Sequence, residues 1–259
     1  MPLGVFDSGV GGLTVVRELR RAFPRRDIFY VGDTARVPYG NKSAETVQTY
    51  SREIVDFLEK KGAERIVAAC NTASALAVGV LARSRKIPIH GMIESGVKAA
   101  LAAGEGPVGV IGTPATIASG AYQQALAKSR PGLKVIAQAT PLLVPLVEEG
   151  WLDGEVTEKV VRQYLEPLIR EKIRVLVLAC THYPLLKGVL GQVLGSGVKM
   201  VDSSEACAEA LQATESSRVE KGELKIFLTD EPGPFLGRVE SFLGKGVVAS
   251  VERIHLPNS

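Results

Sequence analysis

A chain of 259 residues, 46% hydrophobic and 23% charged, has the apolar content for a sizeable packed core and too much of it for a disordered segment. A formal net charge of +3 falls short of the basic footprint of a nucleic-acid binder, and no apolar run approaches the ~18 residues of a membrane span. With no secretory pattern at the start, and three cysteines that fit no disulfide framework, the expectation is a cytoplasmic chain with free thiols and neither a nucleic-acid nor a membrane partner.

In chain order, residues 3–6 form a short apolar strand that runs into Asp7-Ser8-Gly9-Val10-Gly11-Gly12, after which Leu13, Val16 and Leu19 repeat at helical spacing. The glycines suit an anion cradle at a helix N-terminus, and equally well a plain tight turn. They are not a dinucleotide fingerprint, because Thr14 stands where G-x-G-x-x-G requires its last glycine. A second strand at 28–31 leads to the turn-rich Val37-Pro38-Tyr39-Gly40-Asn41-Lys42, then to a helix over 43–61 capped near Ser43 and closed by Lys60-Lys61-Gly62. Residues 65–70 read as a strand ending in Cys70, followed by an Ala-rich helix over 73–84 whose first turn lies beside the thiol and would favour thiolate. A strand at 87–92 and a helix up to Gly104 follow.

Val108-Gly109-Val110-Ile111-Gly112-Thr113 then restates the opening of the chain. Beyond it come a helix over 119–129, a strand over 133–137, and a proline-punctuated segment bearing Glu148-Glu149. A long helix over 155–172 carries Val156, Val160, Tyr164 and Leu168 on one stripe. A second apolar strand ends in Cys180-Thr181-His182-Tyr183-Pro184, before a helix over 185–194, a strand over 199–201 and a helix containing Cys207. The tail reads as a strand over 224–228, a helix over 234–243 and a strand over 247–251, folding back onto the first half.

The two halves match. Gly109 follows Gly4 by 105 residues and Cys180 follows Cys70 by 110, and two pairings at nearly one offset indicate a duplicated α/β unit. The expected fold is therefore α/β: two pseudo-symmetric α/β domains with mostly parallel sheets and an active site in the cleft between them. The domains would be residues 1–95 with 208–259, and residues 96–207. Ligands bind outside the carboxyl ends of parallel strands, which is where both thiols fall.

Cys207, inside a helix pattern, reads as a small buried hydrophobe. Cys70 and Cys180 read differently, since each ends a strand beside ligand-binding side chains: Asn71 and Thr72, Thr181 and His182. A metal site needs three or four ligands at recognised spacings, and His90 and His255 lie in apolar surroundings without them, so none is expected. Two symmetric thiols fit a reaction that removes a proton from one face of a carbon and returns one to the other. Asp7, His182 and an acid from the Glu148-Glu149 pair are candidate proton-holding neighbours.

Gly4 through Thr14, Val37-Pro38-Tyr39-Gly40, Ala69-Cys70-Asn71-Thr72-Ala73-Ser74 and Cys180-Thr181-His182-Tyr183-Pro184 resemble the signatures of bacterial glutamate racemases, within the cofactor-independent aspartate/glutamate racemase superfamily. The resemblance covers nearly the whole chain and weakens after about residue 208. It implies interconversion of L- and D-glutamate with no cofactor and no metal, supply of D-glutamate for peptidoglycan synthesis in the cytoplasm, and assembly as a homodimer. It further implies that Cys70 acts on the D-enantiomer with Asp7 assisting. Cys180 would act on the L-enantiomer, assisted by His182 with support from Glu148 rather than Glu149. Ser8, Pro38, Tyr39, Gly40, Asn71, Thr72, Thr113, Thr116 and Thr181, together with Asp7 and His182, would bind the substrate.

Two positions depart from the pattern: Thr140 precedes Pro141 where relatives commonly have a cysteine, and Ser95 stands where Ile-Glu-Pro-Gly is usual. An aspartate racemase is the nearest rival reading. A binding protein with structural thiols is the rival from another class.

Overall fold

The computed structural model describes residues 2–212 and 222–257. Among the described residues ten strands form two all-parallel sheets. The first contains β1 (Leu3–Asp7), β2 (Ile28–Gly32), β3 (Arg65–Ala68) and β4 (Ile89–Gly91). The second contains β5 (Val108–Gly112), β6 (Val135–Ala139), β7 (Val175–Ala179) and β8 (Lys199–Asp202). The tail supplies β9 (Leu224–Leu228) and β10 (Ser250–Arg253), which extend the first sheet beyond β2.

The sheet orders are β10-β9-β2-β1-β3-β4 and β6-β5-β7-β8. Without the tail strands both orders are the same, with β1 equivalent to β5 and β3 to β7. In each sheet the chain goes to one side of its first strand and then returns to the other, so a crevice opens between the carboxyl ends of β1 and β3 and of β5 and β7. The duplication extends to single atoms. A Cβ on Gly4 would crowd Leu58, Ala63 and Ile66 at 3.1–3.3 Å, and one on the matching Gly109 would crowd Leu168 and Ile173 at 2.5 and 2.8 Å. In both halves the glycine lets the helix before the cysteine-bearing strand lie close on the sheet.

The central strands are buried on both faces, which is why they read as unbroken apolar runs. Each buried Val or Leu side chain contributes about 1.5–3 kcal/mol relative to exposure. One apolar cluster includes Val5, Leu13 and Tyr30 of the first half and Leu165, Leu178 and Tyr183 of the second, so the base of the cleft is packed solid. The helix Ser203–Gln212 packs against both Leu13–Ala22 and Met92–Ala103.

Several local expectations are revised. The helix Gly154–Arg170 buries Thr157, Val161, Leu165 and Leu168, while Val156 is 55% exposed. The inward stripe is thus one residue on from the apolar one, because the Thr157 hydroxyl donates to the Trp151 carbonyl at 3.1 Å and turns that face inward. The helix after Cys70 breaks at Ala77, where Gln48 Nε2 donates to the Leu76 carbonyl at 2.9 Å, and resumes as Val78–Ser84. The helix expected over 119–129 is found as Ala121–Ser129, and a further short helix, Pro114–Ala118, precedes it, the two separated by Gly120 at φ +68. Among the described residues no helix is long and apolar enough to cross a membrane.

Candidate active site

A cleft of about 280 Å³ lies where the carboxyl ends of the two sheets face each other. Cys70 and Cys180 both line it and are otherwise largely buried, at 7% and 6% exposure. Ser8, Pro38, Tyr39, Gly40, Asn71, Thr72, Thr113, Thr181, His182 and Glu148 line it as well. Asp7 and Thr116 do not line it and stand behind the wall. His90 and His255 lie elsewhere, and among the described residues no cluster of three His, Cys, Asp or Glu side chains is arranged to hold a metal.

Cys70 follows β3 and caps the helix Asn71–Leu76, its Sγ accepting from Ala73 N–H at 3.5 Å. The Thr72 N–H and the Ser8 hydroxyl also bond this sulfur. Those donors favour thiolate, as the sequence suggests, but they are outweighed. Burial, with the Asp7 charge second, pushes the Cys70 thiol up to about 12, so the lowering by the helix start is present but does not decide the net shift. Burial also raises Cys180, against the opposing His182 N–H, with the charges of Cys70, Asp7 and Glu148 adding to the rise. Both sulfurs are thus held as thiols at neutral pH when the cleft is empty of cations.

On the Cys180 side a chain of side chains leads away from the sulfur. Cys180 Sγ lies 3.9 Å from His182 Nδ1, and His182 Nε2 lies 3.1 Å from Glu148 Oε1. That hydrogen bond, helped by Arg238, holds the Glu148 carboxyl below its ordinary range despite partial burial. The neighbouring Glu149 points instead towards Arg238, at 3.9 Å. The Cys70 side carries the buried Asp7, which accepts from Gly9 N–H at 2.9 Å and from the Thr181 hydroxyl at 3.4 Å. Burial raises Asp7, and the nearby His182 partly offsets this.

The glycine-rich turn lets backbone and side chains approach closely. A Cβ on Gly11 would fall within 2.5 Å of the His182 ring and closer still to the Thr181 hydroxyl. One on Gly12 would collide with Asp7 and stand 2.7 Å from the Tyr30 hydroxyl. Only backbone fits where the first half of the chain meets the Cys180 loop. Thr14 ties the same seam, its hydroxyl donating to the Thr181 carbonyl at 2.9 Å.

Three threonines form a hydroxyl triangle on one wall: Thr72 to Thr113 at 2.8 Å, Thr72 to Thr116 at 3.1 Å and Thr113 to Thr116 at 2.9 Å. Asn71 accepts from the Tyr122 hydroxyl at 2.7 Å and donates to Ser203 at 3.3 Å. The Tyr39 hydroxyl donates to Asp33, so Tyr39 faces the cleft with other atoms. Asp33 also binds Arg36 at 2.8 Å and the Thr229 hydroxyl at 2.9 Å, a buried network that no local sequence signal announces. Thr140, standing where relatives commonly have cysteine, bonds the Tyr183 hydroxyl at 2.7 Å behind the Cys180 loop.

A model of the family described as Asp/Glu/hydantoin racemase matches residues 4–211. The chain belongs to that family. It is 47% identical to a glutamate racemase from Geobacter metallireducens over 98% of this chain and 96% of that one. A glutamate racemase structure from Bacillus anthracis superposes on this family member with a TM-score of 0.94 and 38% identity, covering 99% of this chain and 98% of that one. The Francisella tularensis glutamate racemase, crystallised in complex with D-glutamate, gives 0.91 and 35% identity over 100% and 98%.

Proposed function

We infer that this protein is a glutamate racemase that interconverts L- and D-glutamate by exchanging protons between Cys70 and Cys180. The observation that carries the reading is the pair of thiols, each ending the equivalent strand of a duplicated sheet and each lining one shared cleft. The cleft lies at the small end of ligand cavities, which run about 300–1,000 Å³, and suits an amino acid.

The chemistry follows from the environments. An incoming α-ammonium group brings positive charge between two thiols held protonated by burial and by neighbouring anions, and so lowers the cost of forming thiolate at one of them. The proton of that thiol passes by way of Asp7 beside Cys70, or His182 beside Cys180, to solvent. That thiolate removes the Cα proton. The Cα–H electron pair moves towards the substrate carboxylate, and the opposite thiol delivers its proton to the other face of Cα. One C–H bond breaks and one forms, configuration inverts, and the two sulfurs exchange protonation states. Cys70 serves the D-enantiomer with Asp7 as its acidic neighbour, and Cys180 serves the L-enantiomer with His182 and Glu148 holding or relaying its proton. Ser8, Tyr39, Gly40, Asn71, Thr72, Thr113 and Thr181 bind the α-amino and carboxylate groups, with Thr116 and Pro38 supporting that wall.

In this reading the protein works without a cofactor in the cytoplasm and supplies D-glutamate for peptidoglycan synthesis, and so for cell shape. It acts as a homodimer of two-domain subunits, residues 1–95 with 208–259 and residues 96–207. The placement of β9 and β10 beside β2 supports that division. The test is circular dichroism of L-glutamate, and separately L-aspartate, incubated with reduced protein and no added cofactor. Decay to zero with glutamate alone is expected. Decay with aspartate alone would reassign the substrate, and folded protein inert on both would end the racemase reading.

A further inference from the structure

The helix Pro232–Leu243 lies beyond residues 4–211, the extent of the family match. It nevertheless holds both members of the pair beside Cys180. Arg238 Nε donates to the Glu148 carbonyl at 3.0 Å, and its terminal nitrogens stand 3.9 Å from Glu148 Oε2 and from Glu149 Oε1. Four residues on, and hence on the same helix face, Phe242 sets its ring edge-on against His182, with centroids 5.3 Å apart and planes at 83°. Arg17 donates to the Phe242 carbonyl at 3.4 Å, tying the helix end to Leu13–Ala22.

The connectivity gives these contacts meaning. The helix joins β9 to β10, which belong to the sheet that carries Cys70. Glu148 and His182 follow β6 and β7 of the other sheet. The contacts therefore cross from one lobe to the other. A guanidinium presents several donors in a rigid fork. Here one arm fixes the Glu148 backbone, a second places positive charge near Oε2 while leaving Oε1 to His182, and the third stands near Glu149. On the Cys70 side the sulfur is bonded by Ser8, Thr72 and Ala73, which belong to other elements.

We propose that Arg238 is a positioning residue for proton transfer at Cys180, clamping Glu148 against His182 from the lobe that carries Cys70. The proposal rests on the racemase reading and deepens it. It predicts a one-sided defect. Because the two enantiomers of glutamate are equal in energy, kcat/KM must fall equally in both directions, and the asymmetry has to appear in isotope effects.

The experiment uses Arg238→Gln, Arg238→Ala and Arg238→Lys in the full chain, with L- and D-glutamate carrying protium or deuterium at Cα. For the Gln and Ala variants, kcat/KM is expected to fall about tenfold to a hundredfold in both directions. The deuterium effect should rise with L-glutamate, where Cys180 removes the label. It should shrink towards one with D-glutamate, where Cys180 only returns a proton. Arg238→Lys should restore most of the rate and the wild-type isotope effects. Wild-type rates in the Gln and Ala variants, isotope effects that move alike in both directions, or loss of native circular dichroism in both variants would overturn the proposal. The last outcome would give Arg238 a structural role. Wild-type protein inactive on glutamate would instead sink the racemase reading itself.

Discussion

Cys70 and Cys180 occupy the same place in the two sheets yet are served by different chemistry. Cys70 caps a helix, takes bonds from Ser8 and Ala73, and has the buried carboxylate of Asp7 as its charged neighbour. Cys180 lies three residues before the short 3-10 helix Tyr183–Leu186 and has a His182–Glu148–Arg238 chain instead. Duplication explains the matching strands, since a parallel strand buried on both faces admits few side chains. The loops beyond the carboxyl ends differ, and in the proposed reaction the two faces of the substrate carbon would meet two different proton stores. Burial does the same to both sulfurs and the neighbours do different things, so equal architecture does not mean equal roles.

The largest test of that contrast removes the sulfurs. Cys70→Ala and Cys180→Ala should each lower racemisation about 10⁴-fold in both directions. A variant retaining a tenth of wild-type activity would break the pairing. Asp7→Asn and His182→Asn should each cost about 10²-fold, but with opposite isotope signatures: the deuterium effect should grow with D-glutamate for Asp7→Asn and with L-glutamate for His182→Asn. Identical signatures would erase the difference between the sides. Gly11→Ala should destabilise the fold by about 1–3 kcal/mol in thermal or urea unfolding, because its Cβ meets Thr181 and His182. The equivalent change at the open Gly188, within the helix Lys187–Leu194, should not destabilise.

In substrate-free protein, alkylation at Cys70 should climb about tenfold per pH unit across roughly pH 7–9. The sign follows from a thiol pushed up to about 12, of which only the small deprotonated fraction reacts. A plateau below pH 9 would mean a resting thiolate. The smallest effect belongs to Cys207, also pushed to about 12 by burial but within the helix Ser203–Gln212 and not lining the cleft. Cys207→Ala should leave racemisation unchanged and cost about 1 kcal/mol of stability.

What could be read from sequence follows the range of the interactions involved. Strands β1, β3, β5 and β7 declare themselves because double burial demands continuous apolar runs, and the thiols at their ends follow directly. The inward face of Gly154–Arg170 does not, because Thr157 is drawn inside by a hydrogen bond to Trp151 that hydropathy does not carry. The role of Gly11 depends on Thr181 and His182, about 170 positions away, so a local reading balances cradle against turn. Asp33 and Thr229 meet across 196 positions, and Arg238 meets Glu148 across 90. Such contacts have no signature in either partner's neighbourhood. The protonation of Cys70 escapes a local reading for a related reason: the helix start is visible locally, whereas burial and Asp7 belong to the assembled cleft.

The two-base account is tested most directly by racemising L-glutamate in deuterium oxide and stopping the reaction early. Proton magnetic resonance, with the enantiomers separated, then reports where the label sits. The account predicts that the D-glutamate formed carries deuterium at Cα, because the proton returned comes from the opposite, solvent-equilibrated thiol, while recovered L-glutamate keeps its protium. Deuterium entering recovered L-glutamate as fast as product forms, or D-glutamate retaining the original proton, would show one group serving both faces and would contradict it.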